Sequence, residues 1–171
     1  MNAETRPAVL EEVLSRYRDL VAEEIDRQLP RGEPRRWLYE PMSDYPHRAG
    51  KALRAALCRA SCRAFGGDEQ DALAVAAAIE LAHCAFLVHD DIQDGSDQRH
   101  NRDTVWKLWG SAQGINVGDA LYALAQVALA EQAASHPNIG AGLLRLNRTT
   151  LVEKIKKKGL RPPDGDEGLM I

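Results

Sequence analysis

The stretch from His83 to Asp94 constrains the chain most, because it places three aspartates at the end of an apolar helical run. On an α-helix, Asp90 and Asp94 stand one turn apart on one face, and Asp91 lies at their flank. Like charges at this spacing repel, and the neighbouring helical positions offer no Lys or Arg. Mg2+ takes carboxylate oxygens, together with waters and substrate phosphates. The pattern predicts either a Mg2+ site at Asp90 and Asp94 or a solvated acidic helix end before the turn at Gly95.

Two charge clusters oppose the dipole of the helix that carries them. The aspartates end one helix, where the dipole favours cations. Lys51 and Arg54 lie in the first turn of another, predicted from about Arg48 to Ala64, where the dipole favours anions. A bound metal and a bound anion would relieve these conflicts, which are typical of functional sites. Taken by themselves, Lys51 and Arg54 are better explained as solvated basic side chains.

The composition favours packed helices in a soluble protein. Alanine and leucine dominate the 44% of hydrophobic residues, and aromatic residues make up 5%. The formal net charge of -3 implies no nucleic-acid or membrane partner. The N-terminus lacks a signal-peptide pattern, and we find no uninterrupted run of 18 apolar residues, so we expect a cytoplasmic protein without a membrane span. The odd number of cysteines, 3, indicates small core residues in a reducing compartment.

Apolar spacings of three and four residues predict an all-α domain over residues 1–151, followed by a polar tail over residues 152–171 that is rich in Lys, Pro and Gly. Proline and glycine mark the crossings between elements. The predicted elements are a helix at Pro7–Leu29, a crossing segment at Pro30–His47, the helix at Arg48–Ala64, a helix capped by Asp68 that runs to the aspartates, an irregular polar loop at Gly95–Asp103, a short helix at Thr104–Trp109, a long helix at Ala112–Ala134 and a last helix from Pro137 to about Leu151.

Several polar side chains surround the aspartates. Glu80 and His83 lie on or near the face of Asp90, so both are expected at the same cavity, although a single His in a helix is more often a hydrogen-bonded core residue. Arg99 follows the cluster and is suited to donate to phosphate oxygens, or else to pair with the acidic helix end. Gly118-Asp119 interrupts an apolar stretch within the long helix, where Asp119 is expected to orient a substrate-binding residue or to form a hydrogen bond inside the bundle.

These motifs resemble the trans-isoprenyl diphosphate synthases, also called the polyprenyl synthetase family. The resemblance covers about Gly50 to Leu151 and implies an isoprenoid-synthase-type bundle of mostly antiparallel helices around a deep cavity. Its most specific part is the run from Glu80 to Ala123. There the motifs H-x-x-x-x-x-H-D-D-I-x-D, Arg99, Thr104-Val105-Trp106 and Gly118-Asp119-Ala120-Leu121 stand in the family's order and spacing.

The resemblance implies a Mg2+-dependent prenyltransferase of isoprenoid biosynthesis, which condenses an allylic diphosphate with isopentenyl diphosphate. It places Asp90, Asp91 and Asp94 in the first aspartate-rich motif, with Asp90 and Asp94 as the Mg2+ ligands. Arg99 would contact the allylic diphosphate. The segment G-K-x-x-R at Gly50 implies that Lys51 and Arg54, assisted by His83, bind the diphosphate of isopentenyl diphosphate. Family members commonly form homodimers.

The chain departs from the family pattern in four places. His100 replaces the second Arg of an Arg pair that helps to bind isopentenyl diphosphate, Asn101-Arg102-Asp103 replaces the usual Gly-x-Pro, and Ala49 replaces the first of two glycines. No second D-D-x-x-D motif follows Asp119. We therefore expect a truncated bundle with little or no condensation activity by itself. Two alternatives stay open, a terpene cyclase-like enzyme on the same fold and a non-catalytic helical subunit of a complete synthase.

Product length would depend on the residues below the aspartates. Phe86 lies four positions before Asp90, and Ala85 lies five before it. An aromatic ring at this depth would form the bottom of the pocket, stop the growth of the prenyl chain and favour a short product. The alternative is that Phe86 faces a neighbouring helix.

Overall fold

The computed structural model describes residues 5–48 and 50–135, and it describes side chains from residue 11 onward. The predicted last helix and the predicted tail lie outside this range, so the proposed domain limits of 1–151 and 152–171 stay a prediction. The described part is all-α apart from one small hairpin. Its elements are α1 (Thr5–Gln28), α2 (Glu40–Asp44), α3 (Leu53–Ala64), α4 (Leu73–Gln93), β1 (Gln98–Arg99), β2 (Arg102–Asp103), α5 (Val105–Trp109) and α6 (Ser111–Ser135).

Helix α1 confirms the first predicted helix within two residues. Its side chains at Tyr17, Val21 and Ile25 recur every four residues, and all three are buried. This spacing gives one apolar stripe, and α1 packs against α3 and α4. These three helices form the core that carries the aspartates.

The crossing segment after α1 contains short helical turns, as its prolines predict. One turn of π-helix at Arg35–Tyr39 leads into α2, whose first turn contains Pro41. Proline is tolerated there because the first helical N–H groups have no partner within the helix. Tyr45 and Arg48, which follow α2 directly, are both buried.

Helix α3 begins at Leu53, so the prediction of a helix from Arg48 was wrong. Ala52 has a left-handed backbone with φ of 43°, which prevents the helix from extending toward Lys51. Lys51 therefore precedes the helix, while Arg54 lies in its first turn. The Ala55 N–H in this turn donates to Glu80 Oε1 of α4 at 3.2 Å. Glu80 thus caps α3 from a neighbouring helix.

Helix α4 begins at Leu73, later than predicted, because Asp68 caps a turn instead of the helix. Asp68 Oδ1 accepts from the Gln70 N–H at 2.9 Å. The consecutive alanines 76–78 are almost completely buried, which permits the close approach of α1 and α3. By length and composition, α4 can also span a membrane. Core helices of soluble bundles share that property, and the absence of a membrane span stays a prediction.

The segment after α4 is a β-hairpin, which corrects the prediction of an irregular loop. Strands β1 and β2 pair antiparallel, with Gln98 opposite Asp103 and Arg99 opposite Arg102. The two turn residues, His100 and Asn101, both have positive φ, as a type I′ turn requires. The hairpin fixes the direction of Arg99 relative to the end of α4.

Helices α5 and α6 confirm the two predicted helices that follow, with Gly110 between them at φ of 89°. Gly118 in α6 allows close packing against α4, because a Cβ there would lie 2.1 Å from His89 Nε2. The chain divides into two compact units, residues 1–126 and 127–171. All the site residues discussed below belong to the first unit.

Candidate active site

The three aspartates of α4 have different environments. Asp91 is 1% exposed, and its carboxylate accepts from Arg99 Nε at 3.0 Å and from Arg99 Nη2 at 2.8 Å. The Tyr45 hydroxyl also donates to Asp91 Oδ2. Burial and this hydrogen bond raise the pKa of Tyr45, so the phenol keeps its proton. Asp91 is therefore satisfied by protein donors and ties α4 to the hairpin and to the segment after α2.

Asp90 and Asp94 are both exposed; Asp90 lies in the last turn of α4, and Asp94 follows the last residue of the helix and donates its N–H to the Asp90 carbonyl at 2.8 Å. Asp90 Oδ2 accepts from Arg99 Nη2 at 3.3 Å. Within residues 11–48 and 50–135, no side chain forms a hydrogen bond or ion pair with the Asp94 carboxylate. Two carboxylates at this spacing suit Mg2+, which draws its other ligands from water and phosphate. The described side chains supply no cluster of three or more His, Cys, Asp or Glu around a metal position.

Arg99 is placed to bind a phosphate beside these carboxylates. Its Nε and Nη2 donate to Asp91 and Asp90, while no described residue accepts from its Nη1. The hydrogen bonds from Arg99 to Asp91 raise the pKa of the guanidinium, which stays charged. Two roles were predicted for Arg99, pairing with the acidic helix end and donating to a phosphate. Both are possible at once, because Arg99 pairs with the helix end and keeps two N–H groups for a ligand.

A cavity of about 380 Å³ lies between α1, the segment before α3, and α4. The predicted diphosphate-binding residues Lys51, Arg54 and His83 all line it, and Glu80 lies beside them as expected. Across the described side chains, neither Lys51 nor Arg54 has a hydrogen-bond or ion-pair partner. Two cations at the wall of one cavity, with no partner among the described side chains, are suited to bind a polyanion.

His83 is neutral in this environment. Burial, together with the charges of Arg54 and Arg99, holds its pKa below the ordinary value of 6.5, although Glu80 opposes the shift. Neutral His83 can donate one ring N–H to a ligand. Cys84 lines the same cavity, but burial raises its pKa to about 12, so it is no nucleophile at neutral pH.

The aspartate end of α4 and the cavity are neighbours. Tyr45 lines the cavity and donates to Asp91, and His100 lines the cavity directly after Arg99 in sequence. The structure thus brings together the residues predicted to contact two diphosphates. The roles assigned to them stay a prediction.

The proposed chain-length residues lie elsewhere. Ala85 is buried, whereas Phe86 is exposed and its ring centroid lies 5.8 Å from that of Tyr122 on α6. Neither lines the cavity of Lys51 and Arg54. Asp119 is also exposed, with one carboxylate oxygen 3.7 Å from His89 Nε2.

Two residues of the site were missed at the level of sequence. Tyr45 and Arg48 occupy the proline-rich segment, where no helical periodicity indicates which side chains are buried. The available signal was their position a few residues before Lys51. Arg18 and His47 also line the cavity and were not predicted.

Comparison with known proteins agrees with this geometry. The sequence profile of the polyprenyl synthetase family matches residues 35–156. A (2E,6E)-farnesyl diphosphate synthase of Mycobacterium bovis is 37% identical over 114 residues, which are 67% of this chain and 31% of the relative. A geranylgeranyl diphosphate synthase of Mycobacterium tuberculosis is 51% identical over 77 residues, which are 45% of this chain and 22% of the relative. The apo crystal structure of an FPP/GFPP synthase from Zymomonas mobilis superposes with a TM-score of 0.70 at 30% identity, covering 92% of this chain and 54% of that one.

The described helices thus have the isoprenoid-synthase type of all-α fold. The chain belongs to the polyprenyl synthetase family. It spans about half or less of the length of the relatives it matches.

Proposed function

We propose that the chain supplies the two diphosphate-binding half-sites of a prenyltransferase that condenses an allylic diphosphate with isopentenyl diphosphate. The observation that carries this proposal is the adjacency of two anion-binding groups of different kinds. Exposed carboxylates with a partly free Arg99 stand at the end of α4. Lys51 and Arg54, which have no hydrogen-bond or ion-pair partner among the described side chains, line the neighbouring cavity.

Each group has a distinct task in this scheme. Asp90 and Asp94 would hold Mg2+, which would supply positive charge to stabilise the diphosphate leaving group of the allylic substrate. Arg99 Nη1 donates to that leaving group, while Asp91 and Tyr45 keep the guanidinium in place. Lys51, Arg54 and His83 hold the diphosphate of the second substrate, so that its double bond faces the allylic carbon. Orientation of two bound substrates can lower the barrier of such a reaction by about 7–11 kcal/mol.

We further propose that the 171-residue polypeptide binds substrates but turns over slowly or not at all, because it holds a single aspartate-rich motif. The test is condensation of radiolabelled isopentenyl diphosphate with an allylic diphosphate by the purified chain. Product near the background rate, together with measurable binding of both substrates, is expected. Robust turnover would refute the proposed inactivity and leave the proposed reaction standing.

His100 favours a second candidate, a terpene cyclase-like enzyme that ionises an allylic diphosphate without adding isopentenyl diphosphate. A histidine carries only part of a charge at neutral pH, whereas arginine is fully charged and donates in a fork. Weak affinity for isopentenyl diphosphate with intact affinity for the allylic substrate would support this candidate.

The His100→Arg variant is expected to bind isopentenyl diphosphate about tenfold more tightly. The guanidinium offers forked, permanently charged donors to phosphate oxygens, a gain of about 1–1.5 kcal/mol. Isothermal titration of both proteins measures the difference. An unchanged affinity would show that His100 does not face the second diphosphate.

The same titrations should depend on pH. A bound diphosphate favours the charged form of His83 and so raises its pKa, which in the free chain lies below 6.5. Proton uptake then accompanies binding, so the affinity increases as the pH falls toward and below 6.5. The stability of the free chain changes in the opposite direction. The unfolded chain binds the proton more readily, so this contribution is lost as pH falls below 6.5 and through the lower folded pKa. His83→Gln is the matched control. In this variant the contribution of His83 to the pH dependence of affinity and of stability must disappear.

A third candidate, a non-catalytic helical subunit of a complete synthase, is supported by apolar side chains exposed on α4 and α6, namely Phe86, Ile115 and Tyr122. For each of these candidates we propose that the chain forms a homodimer or associates with a complete synthase, and that it is cytoplasmic. For the prenyltransferase, we expect a short prenyl product if the Phe86 ring borders the growing prenyl chain. Light scattering of the chain, before and after mixing with a full-length synthase, separates the subunit from the enzymes.

A further inference from the structure

We infer that Arg48 is a positioning residue, which holds the hairpin of Arg99 and His100 in the geometry that both diphosphate sites need. The inference rests on the proposed function and deepens it. Arg48 stands in the turn between α2 and α3, and its side chain is 2% exposed.

All five N–H groups of the Arg48 guanidinium are occupied by the protein. Nε and Nη2 donate to Asp44 Oδ2 at 2.9 and 2.5 Å. Nη1 donates to the carbonyls of Arg99 at 3.0 Å and Arg102 at 3.4 Å, and Nη2 donates to the carbonyl of Asp103. A guanidinium has five such donors and no acceptor. Arg48 also borders the cavity, yet it has no N–H left for a ligand.

The contacts of Arg48 lie where they set the direction of the functional side chains. It holds the main chain of Arg99 itself, whose side chain contacts Asp91 and Asp90. It also holds both residues of β2, so the turn residue His100 is fixed between the anchored strands. The hairpin is only two residues per strand, and so short a ribbon is marginally stable without support.

Arg48 also supports Asp91 indirectly, through Tyr45. Its guanidinium carbon lies 4.4 Å from the ring centroid of Tyr45, and the Tyr45 hydroxyl donates to Asp91. The charge is compensated by Asp44, whose side chain is 9% exposed. The Asp44–Arg48 pair therefore supports both protein partners of Asp91, Arg99 through its backbone and Tyr45 through its ring.

The test compares Arg48→Lys and Asp44→Asn with Arg102→Met. Lysine keeps the charge but cannot donate to one carboxylate and three carbonyls at once. Asp44→Asn removes the negative charge that orients Arg48. It replaces Arg48→Lys as the test variant if Arg48→Lys does not fold. Arg102 Nη2 also contacts Asp44, at 2.8 Å, but its side chain is exposed and anchors no hairpin carbonyl. It is therefore the matched control.

Hydrogen exchange gives the first readout. In the wild-type chain the Thr104 N–H donates to the Asp97 carbonyl at 3.0 Å and closes the hairpin. Exchange over residues 97–104 is expected to accelerate about tenfold or more in Arg48→Lys and Asp44→Asn, as local opening becomes easier. Peptides of α3 should exchange as in the wild type, and Arg102→Met should show no acceleration. Unchanged hairpin exchange in both test variants would overturn the inference.

Binding gives the second readout, one that general destabilisation does not reproduce. Affinity for a non-hydrolysable allylic diphosphate analogue with Mg2+ is expected to fall about 10- to 100-fold, the range for groups that orient a ligand-binding side chain. If Arg48 acts through Arg99, the loss must shrink strongly in an Arg99→Lys background. An equal loss in both backgrounds contradicts the inference. A wild-type chain that binds no analogue refutes the proposed function instead.

Discussion

The Asp91→Ala variant is expected to lose about 3–5 kcal/mol of the free energy of unfolding, the cost of removing one partner from a buried ion pair. Asp91 is 1% exposed and accepts from Arg99 and Tyr45. Its loss leaves the buried Tyr45 hydroxyl without an acceptor and removes the Asp91 hydrogen bonds of Arg99, whose side chain is 25% exposed. Urea unfolding followed by circular dichroism, with the slope and the midpoint both fitted, measures the change.

Asp90→Ala is the matched control for this prediction. Asp90 belongs to the same helix turn, but its side chain is 54% exposed and its contact with Arg99 is 3.3 Å long. Exposed ion pairs contribute about 0–1 kcal/mol, so the stability of this variant should stay close to that of the wild type. Equal losses in the two variants would show that Asp91 is not the structural member of the motif. The distinction matters because the sequence treats these aspartates as one cluster.

The Lys51→Met/Arg54→Met double variant is expected to lose about 3 kcal/mol in the free energy of binding isopentenyl diphosphate, or about 100-fold in Kd. Each side chain contributes a charge-assisted hydrogen bond, and the lower value of about 1.5 kcal/mol applies to each because both are exposed. Their lack of described protein partners means that little stability should be lost. Isothermal titration measures the affinity, and thermal unfolding checks the fold.

Arg63→Met controls for the loss of positive charge. Arg63 lies on α3, as Arg54 does, is exposed, and does not line the cavity. Its removal should change the Kd by less than about threefold, since separated exposed charges are largely screened. A comparable loss from Arg63→Met would mean that general attraction, not a defined site, holds the diphosphate.

Much of the fold was predictable because helix periodicity is a local signal. The apolar stripe of α1, the glycine break before α6 and the small residues of α4 all follow from the sequence, and the structure confirms those helices. The boundaries at α3 and α4 were less accurate. The left-handed backbone of Ala52 and the turn capped by Asp68 depend on contacts with neighbouring elements, which periodicity does not register.

The residues of the candidate site could be predicted from the sequence, but the different environments of the three aspartates could not. Spacing placed Asp90 and Asp94 on one face and brought Glu80 and His83 to one cavity. It could not show that Asp91 is buried and satisfied, because Tyr45 lies 46 residues away in sequence and the hairpin that directs Arg99 toward Asp91 is held by contacts with other segments. Arg48 was missed for the same reason, since its five bonds run to main-chain carbonyls and to Asp44.

The most direct test of the account is isothermal titration of the purified 171-residue chain with a non-hydrolysable allylic diphosphate analogue, with and without Mg2+, beside Asp90→Ala. We expect binding that requires Mg2+ and disappears in the variant, since Asp90 keeps its exposed carboxylate for the metal. Two results would contradict the proposed metal-dependent half-site. One is that a well-folded wild-type chain does not bind the analogue, and the other is that its affinity is unchanged both without Mg2+ and in Asp90→Ala.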